Sequence, residues 1–258
     1  EGKVLNIKAF PFFVSMKYII SWVLRFIPRK FIQLFAHKLI KIYSIFLTGN
    51  KVYCPVCDHS FRHFLPYGRL TPRENALCPS CLSLERHRLM YLYLKNETSF
   101  FTEKPKLLHI APEYCFIERF EKHLGDQYIT ADIESPLAKV KMDLHDIPFE
   151  DNTFDAITVA YGVRNFENTV KGLTEMHRVM KPGGTMVVLE FSKPKVFPVK
   201  QIFYFYFHFV LPLIGRLFSK DRRAYTYVPE SVETFPEGDA FLNLMQQAGF
   251  TGTKQIPL

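Results

Sequence analysis

Two cysteine pairs, Cys54-Pro-Val-Cys57 and Cys78-Pro-Ser-Cys81, limit what this 258-residue chain can fold into more than any other feature. Each pair presents two thiolates from one tight turn, and the spacer suits a ribbon that brings the pairs around one soft-ligand cation, zinc by its preference for tetrahedral sulfur. Two disulfides, or four unconnected buried thiols, are the alternatives. Nothing resembles a cleaved secretory leader, so a reducing compartment and a metal are expected. Four thiolates leave no open coordination position, which makes such a site structural. His59, His63 and His87 are then not needed as ligands, and Cys115 reads as a small buried residue.

The net charge of +8 suggests nucleic acid at first, but its distribution argues against that. Nearly all of it lies in residues 1–50, where eight Lys and Arg face Glu1 alone. The remainder is close to neutral, so no nucleic-acid partner is expected. Within that basic arm, Lys30, Gln33, His37, Lys41 and Ser44 recur at steps of three or four along Lys30 to Leu47, a narrow polar stripe on an otherwise apolar helix. Pro28 separates it from Lys17 to Ile27. No apolar run is long enough to span a bilayer. Two placements remain for such an arm, an anionic membrane surface or a packing partner. The expected organisation is an amphipathic arm over 1–50, a zinc ribbon and following helix over 51–95, and an α/β domain over 105–258.

From about residue 105 the pattern alternates. Leu107 to Ala111 is an apolar strand, Glu113 to Leu124 a helix stopped by Gly125, and Tyr128 to Asp132, the stretch around Val140, Phe154 to Ala160 and Thr185 to Phe191 are further strands. Between the last two lies a helix with Val170, Leu173, Met176 and Met180 on one face, expected to end at Pro182-Gly183-Gly184. Such βαβ alternation predicts a mostly parallel sheet with helices on both faces and a ligand outside its carboxyl edge. Asp132, closing one strand, is placed to accept ribose hydroxyls, and Asp143 with Leu144 falls where an adenine would lie. Asp151, Asn152 and Asp155 read as turn and strand-start residues.

These strings resemble class I S-adenosylmethionine-dependent methyltransferases, in two ways. Residues 51 to about 157 resemble a bacterial group carrying a zinc ribbon, through the two Cys pairs, Ser83-Leu84-Glu85-Arg86-His87-Arg88 and His109-Ile110-Ala111-Pro112-Glu113. Residues from about Phe149 to Leu258 resemble the demethylmenaquinone and ubiquinone C-methyltransferases. The strings here are Phe154-Asp155-Ala156-Ile157-Thr158-Val159-Ala160-Tyr161-Gly162-Val163-Arg164-Asn165-Phe166, Leu189-Glu190-Phe191-Ser192-Lys193-Pro194 and Tyr225-Thr226-Tyr227-Val228-Pro229-Glu230-Ser231. The resemblance implies a Rossmann-like sheet and S-adenosylmethionine as co-substrate. It assigns cofactor contacts to His109, Ala111, Glu113, Asp132, Asp143, Leu144 and Tyr161, with Ala111 the only small residue in a first loop that quinone methyltransferases fill with glycine. Both groups share a string around residues 149 to 157, so the chain reads as a chimera joined there. The closing antiparallel strand of the fold is expected to be missing after Leu258, with marginal stability as the result.

The second resemblance implies methylation of a ring carbon in a prenylated hydroquinone, as in menaquinone or ubiquinone biosynthesis. Arg164 would stabilise phenolate charge or orient a water, Asn165 would fix its geometry, and Tyr225 or Tyr227 would contact the ring oxygen. Glu190 is a candidate base. The alternatives are a zinc-ribbon methyltransferase acting on a sugar, lipid or RNA, and a non-catalytic hybrid with a degraded pocket. Val196 to Phe218, rich in aromatics and too short to cross a bilayer, suits a cover for a greasy substrate. The expected location is the cytoplasm, with peripheral contact at the inner face of the membrane.

Overall fold

The computed structural model describes residues 39–68, 72–190, 193–194, 196–210 and 234–256, in two compact units, Glu1–Glu97 and Thr98–Leu258. Most of the basic arm, the Phe191 end of the last strand and the Tyr225 to Ser231 string lie outside the described residues.

In the first unit, β1 (Thr48–Cys54) pairs antiparallel with β2 (His59–Phe61), and β3 (Leu65–Tyr67) with β4 (Arg73–Leu77). β1 begins inside the stretch read as arm. The two cysteine turns are built alike. Asp58 N–H donates to Cys54 O at 2.9 Å and Leu82 N–H to Cys78 O at 3.0 Å, and both donors have a φ of +61°. That left-handed conformation is costly for a leucine, and the knuckle imposes it. α1 (Glu85–Asn96) follows, its first turn held by Leu84 N–H donating to His87 Nδ1 at 3.1 Å. Arg88 then pins the helix to the second knuckle. Its Nη1 donates to Ala76 O and Ser83 O, and its guanidinium lies 4.5 Å from the centre of the Phe64 ring.

The second unit contains a five-stranded sheet in the order β7 (Val140–Lys141), β6 (Tyr128–Asp132), β5 (Leu107–Ile110), β8 (Phe154–Ala160), β9 (Met180–Leu189), and every pairing is parallel. Helices cover both faces, as the alternation predicts. On one face α3 (Tyr114–Leu124) lays Phe116 and Phe120 against the sheet, and the Phe100 ring of α2 (Phe100–Glu103) packs tilted against Phe120 with centres 5.0 Å apart. On the other, α4 (Thr169–Val179) buries Leu173 and Met176 against Leu108, Ile110, Ile157 and Val159, and α6 (Asp239–Gln247) joins that cluster with Phe241, Leu244 and Met245. Each fully buried side chain of this kind contributes roughly 1.5–3 kcal/mol. α5 (Val199–Phe205) and a π turn over Tyr206–Val210 follow β9 in the chain.

The end of α4 departs from the sequence reading. Val179 is the last helical residue, and Met180, at φ −86° and ψ 136°, already pairs with Phe154. The next paired residues are Ala156 and Thr185, so Lys181-Pro182-Gly183-Gly184 bulges out of β9 rather than ending a helix. Gly183, at φ +80°, is where the bulge needs glycine. Among the described residues no strand follows α6.

Candidate active site and metal centre

In the first unit the four cysteine sulfurs lie within 4.8 Å of one another, with Cys54 to Cys81 at 3.6 Å and Cys57 to Cys78 at 3.7 Å. A tetrahedron with metal–sulfur bonds of about 2.3 Å has edges of about 3.8 Å, so the sulfurs already stand where one ion would hold them. None is in a disulfide. Hydrogen bonding from Cys57 holds the Cys54 thiol well below its ordinary value, and the same neighbour relation through Cys54 pushes Cys57 and Cys81 up. Four crowded thiols therefore resist ionising together, and a bound cation would remove that conflict. The sequence reading missed Ser83. Its buried hydroxyl sits 3.2 Å from both Cys54 Sγ and Cys81 Sγ, behind the ligand set. His59 Nδ1 contacts the Cys57 carbonyl, so it is turned from the sulfurs.

In the second unit, strand order places the candidate site. The chain leaves β5 for β6 and β7 on one side, then crosses to β8 and β9 on the other, so the switch point lies between the carboxyl ends of β5 and β8. The residues that follow those ends, Ala111 and Tyr161, both adopt left-handed backbone at φ +51° and +56°. A Cβ built on Gly162 would lie 3.8 Å from Ala111 Cβ and 2.9 Å from Val159 Cγ2, so the two loops converge and Gly162 keeps space between them. Their backbones continue the ladder, with Ala111 N–H donating to Ala131 O and Tyr161 N–H to Leu189 O.

His109 is 1% exposed, on the α3 face of β5, among Phe116, Phe120 and Tyr128. Its Nδ1 is 2.7 Å from Tyr128 Oη and its Nε2 2.7 Å from Glu113 Oε2. Burial pushes the Tyr128 phenol far above its ordinary value, with the Glu113 charge second, so the phenol keeps its proton in this contact. His109 is therefore enclosed in the core, held between Tyr128 and Glu113. Glu113 stands at the N-cap position of α3 without a side-chain cap bond, and its Oε1 is buried with no hydrogen-bond partner among the described residues.

Asp132 ends β6, and its Oδ1 accepts from Glu134 N–H at 2.8 Å and Ser135 N–H at 2.6 Å. The exposed Asp143 accepts at Oδ1 from both the backbone and Nδ1 of His145, and these bonds hold its carboxyl below the usual range. His145 Nε2 accepts from Asn168 N–H, linking that loop to the start of α4. Leu144 packs on the core cluster. Arg164 and Asn165 lie in a short 3-10 turn, Val163–Asn165, after β8. Val163 is the buried residue of the turn, and the Phe166 ring lies so close to Gly172 of α4 that a Cβ there would approach to 2.7 Å. Glu190, directly after β9, faces this turn. Tyr225, assigned to the ring oxygen from sequence, lies outside the described residues.

The profile of the ubiE/COQ5 methyltransferase family matches residues 122–256, more than half of the chain. The chain belongs to the ubiE/COQ5 methyltransferase family. The match starts upstream of Phe149 and takes in β6 to α6, including Arg164 and Asn165. A demethylmenaquinone methyltransferase of Bacteroides fragilis is 44% identical over 119 residues, 46% of this chain and 49% of that protein. A ubiquinone/menaquinone biosynthesis C-methyltransferase UbiE of Geotalea daltonii is 46% identical over 138 residues, 52% and 57% of the respective chains. The chain thus spans about half the length of the curated relatives it matches. Among solved structures, a possible histamine N-methyltransferase of Thermotoga maritima aligns over 64% of this chain and 78% of its own at 16% identity and a TM-score of 0.38.

Proposed function

We propose that this chain transfers the methyl group of S-adenosylmethionine to a ring carbon of a prenylated hydroquinone of the demethylmenaquinol type. The observation that carries the reading is the family match over residues 122–256, which contains the Arg164-Asn165 turn. The relatives named demethylmenaquinone methyltransferase support the substrate class.

The co-substrate would supply an electrophilic methyl on a positively charged sulfur. It fits the switch point: Gly162 leaves room between the two loops, and Glu113 Oε1 is a buried acceptor awaiting a donor such as an ammonium group. With Oδ1 held by its own turn, Asp132 would offer Oδ2 to the ribose hydroxyls, while Asp143 and Leu144 would border the adenine. The ring carbon forms its bond to the methyl as the methyl–sulfur bond breaks and the electron pair stays on sulfur. Loss of the ring proton then restores aromaticity, with one proton released overall. Arg164 would stabilise phenolate charge as it develops, Asn165 would fix its direction, and Tyr225 would contact the ring oxygen.

In the first unit, the sulfur spacing supports a structural zinc ion on Cys54, Cys57, Cys78 and Cys81. Two ancestries meeting in one chain remains part of this reading, although the family match begins at residue 122, upstream of the seam read at residues 149 to 157. Near β9, the exposed Phe197, Ile202, Phe205 and Phe209 would suit an isoprenoid tail or the membrane surface that delivers it. Among the described residues no helix is long and apolar enough to cross a membrane.

Two measurements test the reading. Isothermal titration with S-adenosylmethionine is expected to give micromolar binding that an Asp132→Ala variant loses. Reduced demethylmenaquinone with a short prenyl tail is then expected to gain one methyl group by mass spectrometry. Binding without methylation would refute the hydroquinone substrate, and no binding by folded protein would refute the enzyme.

A further inference from the structure

Glu190 was read from sequence as a candidate base, but its surroundings give it a different task. It follows β9 as the Val163–Asn165 turn follows β8, and these strands are parallel neighbours with Ala160 opposite Leu189. Both carboxylate oxygens are directed at the turn. Oε1 accepts from Arg164 N–H at 3.4 Å, and Oε2 lies 4.0 Å from Arg164 Nη1. The side chains are largely buried, Arg164 at 14% and Glu190 at 7% exposure.

We propose that Glu190 is a positioning residue that fixes the Arg164 turn and aims its guanidinium into the site. The inference deepens the methyltransferase reading and rests on it for its effect on rate. A long arginine without a buried counter-charge would turn toward water, where its hydration is better. With Oε1 at the Arg164 N–H and Oε2 4.0 Å from Nη1, the carboxylate charge draws the guanidinium toward the end of β9. A guanidinium held beside the turn would meet phenolate charge as it develops without reorganising during the reaction. A base, by contrast, must bring an oxygen to the phenolic proton, whereas the Glu190 side chain is 7% exposed and faces the Arg164 turn.

The test compares the full chain with Glu190→Gln, Glu190→Asp, Arg164→Ala and the Arg164→Ala/Glu190→Gln double variant. The assays are methylation of reduced short-chain demethylmenaquinone across pH 6–9 and chemical denaturation. Loss of a preorganised donor costs about 100-fold in kcat, and Glu190→Gln is expected to approach that loss. Its S-adenosylmethionine affinity and hydroquinone KM should stay near those of the wild type. The rate should fall in parallel at every pH, Glu190→Asp should recover part of it, and the double variant should be no slower than Arg164→Ala alone. A rate that recovers as pH rises would overturn the proposal in favour of a base, as would fully multiplicative losses in the double variant.

If the wild type binds S-adenosylmethionine but methylates no hydroquinone, the substrate reading fails while the denaturation cycle still decides the positioning claim. A midpoint for the double variant equal to that of the worse single variant supports the coupling. Strictly additive midpoints refute it.

Discussion

Replacing Arg178 by methionine should cost this protein about 3 kcal/mol of stability, although the residue has no part in the proposed chemistry. Arg178, on α4, spends all five guanidinium protons. Nε donates to Glu175 Oε1, Nη1 to Phe149 O and Asp151 Oδ1, and Nη2 to Ile147 O and Glu175 Oε2, all between 2.7 and 2.9 Å. The two carbonyls belong to the loop that delivers the chain into β8. Each of those bonds is worth about 1 kcal/mol, the two-point contact with Glu175 about 1 kcal/mol, and the exposed Asp151 pair at most a few tenths. Methionine keeps the apolar stem and helix propensity, so the loss should be about 3 kcal/mol. For a unit of this size that corresponds to a fall in melting temperature of roughly 6–12 °C. Differential scanning calorimetry of the full chain measures it. Arg178→Lys should suffer most of the same loss, because an ammonium cannot serve five acceptors in one plane. A fall below about 2 °C in Arg178→Met would show that the loop holds its shape without the arginine.

Other expectations follow from the same contacts. The hydrogen bonds of Arg178 hold the Glu175 carboxyl below its ordinary value of 4.5, so its contribution is complete above that value and is lost as pH falls through the lower folded one. Urea midpoints between about pH 5 and 3 should therefore drop less steeply in Arg178→Met than in the wild type, and equal slopes would contradict this. Stripping a bound ion with a strong chelator should increase proteolysis within residues 51–84 while leaving the second unit's cleavage pattern unchanged, and loss of both together would refute a local structural site. His109→Phe removes the imidazole but keeps an aromatic body. It should weaken S-adenosylmethionine binding several-fold by releasing Glu113, whereas affinity for methylthioadenosine, which lacks the amino-acid portion, should hardly change. A parallel loss of both would mean that His109 acts through general packing.

The spacing of the cysteines was enough to bring four sulfurs together, because each pair is local and only the closure between them is long-range. The parallel sheet was also legible, since each strand is an apolar run bounded by its own turn. Side-chain direction on β5 was not. All four residues of that strand are buried, so no alternation showed that His109 faces α3 rather than the ligand edge. The bulge in β9 was hidden for a related reason. Pro182-Gly183-Gly184 has the local chemistry of a helix stop, and only pairing with β8 reveals that the strand has already begun at Met180. Glu190 and Arg164 stand 26 residues apart, and no local pattern announces a partnership that adjacent parallel strands create.

That bulge also separates length from alignment. Between Phe154 and Ala156 the β8 side advances two residues while the β9 side advances five, and beyond it Ala156 to Ala160 runs level with Thr185 to Leu189. Residues gained or lost among Lys181-Pro182-Gly183-Gly184 would change the slack at the amino end of the sheet and leave the carboxyl ends, with Tyr161 and Glu190, undisturbed. It works as an expansion joint, and is the natural place to splice in a tag or reporter without detuning the opposite edge.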